Sequence, residues 1–76
     1  MELYDQVLNE VRQFLPRGED VGRFVERQCR LHLKIEPSAL RADHLPELAR
    51  WISVSIGLLI PKEKAALLRQ NIERLG

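Results

Sequence analysis

The stretch from Asp43 to Ile60 is too apolar to be an ordinary surface helix, and it limits what the chain can fold into. Leu45, Leu48, Ala49, Ile52, Ile56 and Leu59 recur at helical spacing and form one stripe. Trp51, Val54 and Leu58 form a second stripe on another side of the same helix. At ~100° per residue the combined apolar arc covers roughly two thirds of the circumference. Such a helix has to be covered on two sides, by the rest of a small domain, by a partner, or by both.

With 76 residues the expectation is a single helical domain over 1–76. One cysteine, Cys29, excludes an internal disulfide and fits a reducing compartment. No apolar run approaches the ~18 residues of a membrane span. Met1-Glu2-Leu3-Tyr4-Asp5 lacks the basic and then apolar pattern of a signal peptide. These features predict a cytoplasmic protein with no membrane partner. Apolar residues make up 45% and charged residues 30%, too apolar a balance for a disordered chain. Net charge is only +1 but unevenly spread. Glu2, Asp5, Glu10, Glu19 and Asp20 make the first quarter acidic, whereas Arg23, Arg27, Arg30, Lys34 and Arg41 make the next segment basic.

The pattern predicts an all-α fold: a small bundle of four helices plus a short helical turn. The first helix presents Leu3, Tyr4, Val7, Leu8, Val11, Phe14 and Leu15, and Pro16-Arg17-Gly18 breaks it. The second runs from about Asp20 to about Leu33, with Val21, Phe24, Val25 and Leu31 inward and acidic Glu19 and Asp20 at its positive end. Pro37-Ser38-Ala39-Leu40 reads as a short turn. The long helix begins near Arg41 to Asp43, tolerates Pro46 in its first turn and stops at Gly57. Pro61 opens the last helix, whose narrow stripe is Ala65, Leu68, Ile72 and Leu75, and Gly76 closes it. Two runs, 31–36 and 51–57, also alternate like strands, so the alternative is an α+β fold pairing them.

Chemistry-bearing patterns are sparse. Cys29 with His32, and His44 with Glu47, are three apart, but a zinc or di-iron site needs a fuller donor set. Ser38, Ser53 and Ser55 have no evident base or acid partner. Gly18, Gly22, Gly57 and Gly76 are too scattered for a phosphate loop. No metal, cofactor or catalytic residue is therefore expected. His32 falls on the apolar face of the second helix and reads as a core histidine bonded to a backbone carbonyl. Cys29, at the edge of that face, reads as a small buried hydrophobe.

Two surfaces remain. Arg23, Arg27, Arg30 and Lys34 are spaced four, three and four, and line one side of the second helix. Arginine there suits carboxylate or phosphate through paired hydrogen bonds. Trp51, Val54 and Leu58 are either core or an interface, and tryptophan is enriched at interface hot spots. The segment from Leu48 to Ser55 faintly resembles the opening of a helix-turn-helix, but Ser53 stands where the turn wants glycine. Size and helix count resemble small adapter modules such as sterile-alpha-motif or death-fold domains, a likeness of architecture that transfers no function. The expectation is a non-catalytic interaction or regulatory module, docking an acidic partner or a second copy as a homodimer. The alternative is a nucleic-acid-binding module using the basic stripe on phosphates.

Overall fold

In the computed structural model, which describes residues 3–16 and 18–75, the order of elements follows the apolar periodicity. Helix α1 spans Leu3–Arg12, α2 spans Val21–Gln28, α3 spans Leu45–Ile56 and α4 spans Lys62–Glu73. A π-helical turn, Cys29–Leu33, extends α2, and 3-10 turns at Pro37–Ala39 and Ala42–His44 lead into α3. The fold is a small all-α bundle. Among the described residues there is no strand, so 31–36 and 51–57 do not pair. Arg17 of the expected break, Glu2, and Gly76 as the expected close lie outside the described residues.

The helices close a ring in which α1 touches α2 and α4, and α3 touches α2 and α4. Val7 and Val11 of α1, Val25 and Cys29, Leu40, and Ala65, Leu68 and Ile72 of α4 fill its centre. Helix α3 contributes Leu45, Leu48, Ala49, Ile52 and Ile56, more of the core than any other element. The first apolar stripe is thus core up to Ile56. Leu59 leaves it and is 47% exposed, because α3 ends at Ile56 and residues 57–59 turn. Gly57 ends α3 at φ −61, without using left-handed freedom; a Cβ there would come within 3.0 Å of the Ser53 carbonyl oxygen.

Local chemistry sets the boundaries. Asp20 caps α2, its Oδ1 accepting from the Arg23 amide at 3.0 Å. The Arg41 amide donates to Nδ1 of His44 at 3.0 Å while the His44 amide donates to the Arg41 carbonyl at 2.9 Å, a reciprocal lock before α3. Such a bond needs Nδ1 without a proton. The Tyr4 hydroxyl donates to the Gly22 carbonyl at 3.3 Å and ties α1 to the start of α2.

The main departure from the sequence expectation lies at the end of α2. A π-helical ladder takes i→i+5 bonds and carries about one more residue per turn than an α-helix. Beyond Gln28 this changes which side chains face inward. Leu31, expected inside, is 62% exposed, and Leu33 packs against the core instead. The turn ends at Lys34, which adopts a left-handed conformation with φ 57. Both the Lys34 and Ile35 amides donate to the Cys29 carbonyl, closing the wide turn.

Candidate functional site

Helix α3 has two neighbours, and the second apolar stripe divides between them. Trp51 faces the π turn, where His32 lies flat against it with ring centroids 3.9 Å apart and planes 6° from parallel. His32 is half-buried by this stacking, so the expected core histidine on a backbone carbonyl is replaced by an aromatic pair. The Arg50 guanidinium stands 5.9 Å from the Trp51 ring centroid. One turn further, the Ser55 hydroxyl donates to Oε1 of Gln28 at 3.3 Å, which satisfies the only buried polar side chain among the described residues. Together the stack and this bond pin α3 to the α2–π segment.

Val54 and Leu58 have no such cover. They are 58% and 88% exposed, so the stripe is not sealed within the domain. They line a shallow groove of about 320 Å³ between α3 and α4, floored by Gly57, Ala65 and Ala66 and edged by Lys62 and Arg69. Arg69 reaches Glu73 only at 3.7 Å, a loose, exposed pair. Stack and groove adjoin on one helix: Trp51 and Val54, three apart and so neighbours on the α3 surface, stand where the side covered by the π turn meets the side that faces α4.

The basic row is shorter than its spacing implies. Arg23, Arg27 and Arg30 line one shallow groove with Glu26 and Leu31. Lys34 does not extend the row, because the spacing of four, three and four assumes an α-helix through residue 34, and Lys34 is the left-handed cap. Arg30 is held at both ends, by Glu26 at 3.1 Å and by Glu36 at 2.9 Å. The bond to Glu36, and then the charge of Glu26, raise its pKa above the ordinary value. Arg23 and Arg27 make no ion pair with any other described residue. The strip therefore carries two available guanidinium groups rather than four cations.

Cys29 lies in the core with no exposed surface, and burial, followed by the charge of Glu26, pushes its thiol up to about 11. That is the opposite of what a nucleophilic or metal-binding thiolate needs. Among the described residues no group of three or more His, Cys, Asp and Glu is placed to hold a metal ion. No helix of the described residues is long and apolar enough to cross a membrane. Lys62, Ala66 and Arg69 were not visible as site residues in the sequence, since nothing local to α4 marks them. They join Val54 and Leu58 only through α3–α4 packing. No family model, no curated protein and no solved structure matches this chain.

Proposed function

We propose that this chain is a non-catalytic protein-interaction module of a regulatory kind, and that it docks an amphipathic helix of an acidic partner in the α3–α4 groove. The observation that carries the reading is the exposure of Val54 and Leu58 side by side above small residues, at 58% and 88%. Small side chains in the floor leave room for a partner's apolar ones, as in helix-in-groove recognition. The basic edges, Lys62 and Arg69, favour carboxylates on the incoming helix. The same charges weigh against a second copy docked face to face, because a two-fold contact would set Lys62 and Arg69 against themselves. Trp51 does not line the groove; stacked on His32, it ties the neighbouring side of α3 to the π turn. Arg23 and Arg27 stand on α2, outside this groove. A phosphate-binding role is the poorer fit, since Arg30 is already neutralised and Lys34 stands outside the row.

The test is an amide chemical-shift titration of isotope-labelled protein with a helical peptide carrying leucines on one face and glutamates on the other. Shifts centred on Val54, Gly57, Leu58 and Ala66, abolished in Val54→Ser/Leu58→Ser, are expected. In sedimentation the protein alone should stay monomeric. Absence of shifts at the groove overturns the proposal, as does self-association that Leu58→Ser abolishes.

A further inference from the structure

We infer that the outer face of α2 and the π turn is a second docking surface, for an acidic protein segment that presents one apolar side chain. The inference stands apart from the α3–α4 groove, with which this surface shares no lining residue.

The π turn creates this surface. Had α2 continued as an α-helix, Leu31 would fall near Phe24 on the inner side. The wider turn carries it outward, 62% exposed, into the groove formed with Arg23, Glu26, Arg27 and Arg30. Turns of this type occur often at functional sites. The Lys34 left-handed cap and the two bonds onto the Cys29 carbonyl hold Leu31 there. It is an apolar anchor point fixed among guanidinium groups.

The surrounding charges specify the occupant. Arg30 is occupied by Glu26 and Glu36, so it presents a braced side chain rather than a free cation. Arg23 and Arg27, one turn apart, have no ion pair among the described residues and are free to accept carboxylates. Glu19 and Asp20 line a neighbouring hollow with Arg23 and Arg27, so an anionic segment has to meet the two guanidinium groups through direct, local hydrogen bonds, and a few carboxylates suit that better than a long polyphosphate track. A single exposed leucine adds nothing to a phosphate contact but does seat an apolar side chain. A protein segment with a few carboxylates around one apolar residue satisfies both features.

The experiment is fluorescence anisotropy with a labelled glutamate-rich peptide bearing one central leucine. A matched peptide with serine at the centre and a labelled single-stranded DNA oligonucleotide serve as competing probes. Arg23→Glu/Arg27→Glu should weaken the leucine peptide by at least about tenfold, and added salt should weaken it further. Leu31→Ser should erase the preference for the leucine peptide over the serine peptide. Leu58→Ser should leave binding unchanged, which separates this surface from the groove. Circular dichroism of each variant checks that the helices persist, with Arg23→Gln/Arg27→Gln as the milder replacement if charge reversal unfolds the chain. The inference is overturned if the leucine peptide shows no saturable binding, or if the arginine variants or Leu31→Ser leave its binding unchanged. It is equally overturned if Leu58→Ser abolishes binding, or if DNA binds as tightly as the peptide and ignores Leu31.

Discussion

Truncating Leu31 and Leu33 separately to alanine asks which of the two faces the core. A continuous α-helix and the π turn give opposite answers. In the structure Leu31 is 62% exposed, so its removal uncovers little buried apolar area. The expected cost is about 0.5 kcal/mol or less, partly offset by the better helix propensity of alanine. Leu33 is largely buried against the core cluster. Its truncation loses most of a leucine's transfer energy and leaves part of a cavity, roughly 1.5–2.5 kcal/mol. That is a large share of the few kcal/mol available to a chain of this size. Urea unfolding followed by far-ultraviolet circular dichroism and by Trp51 emission gives both numbers, and coincident transitions license a two-state treatment. With a slope of about 1 kcal/mol per molar urea, Leu33→Ala should lower the midpoint by about 2 M and Leu31→Ala by under about 0.5 M. If Leu31→Ala costs as much as Leu33→Ala or more, residues 29–33 form an ordinary α-helix, and the outward placement of Leu31 falls with it.

Three further outcomes follow from the geometry. Ser55→Ala strands Oε1 of Gln28, which is 4% exposed, and should cost about 1–2 kcal/mol in thermal unfolding; adding Gln28→Leu should recover most of that. Lys34→Gly relieves a left-handed non-glycine residue and should raise stability by about 0.5–1 kcal/mol, net of the glycine's extra freedom in the unfolded chain, whereas Lys34→Ala should not. Cys29 has a thiol raised in the folded state from 9.0 to about 11, so the unfolded state ionises first. Stability should therefore be complete below pH about 9 and be lost progressively as pH climbs through about 11, and Cys29→Ala should flatten that decline in pH-dependent denaturation curves.

Much of the fold could be read from period and punctuation. Val7 and Val11, Leu45 to Ile56, and Ala65, Leu68 and Ile72 lie at 3.6-residue spacing and are the core. Asp20, Pro37, Pro46 and Gly57 mark turns and ends because each has a backbone reason to sit there. The strand-like alternation at 31–36 and 51–57 was overridden by helical packing at Ile52 and Ile56 and by Leu33 at the core. The α2 terminus was not legible. A π turn has no composition of its own, so a wheel drawn at α-helical period carries Leu31 inward and keeps Lys34 in the basic row. The site was half legible for a related reason. Val54 and Leu58 stand out as apolar residues in excess of one core stripe. Their opposite wall, Lys62, Ala66 and Arg69, depends on how α4 crosses α3, and no local pattern encodes that crossing.

The excess apolar character of α3 leads to a last prediction. Three other helices cannot wrap two thirds of a rod, because each neighbour covers only one flank. Here the ring gives α3 two such neighbours, α4 on one side and the α2–π segment on the other. Core demand is met by Leu45, Leu48, Ala49, Ile52 and Ile56, and the α2 side is satisfied by Trp51 and Ser55. Nothing in the packing requires Leu58, at 88% exposure, to be apolar. Leu58→Ser should therefore change unfolding stability by no more than about 0.5 kcal/mol, while Ile56→Ala, two residues earlier and fully buried, should cost about 2–4 kcal/mol. Differential scanning calorimetry on the two variants reads both quantities. A large loss of stability in Leu58→Ser would mean that the residue holds the α3–α4 connection together. The groove would then be a structural seam with no surplus of apolar surface to offer a partner.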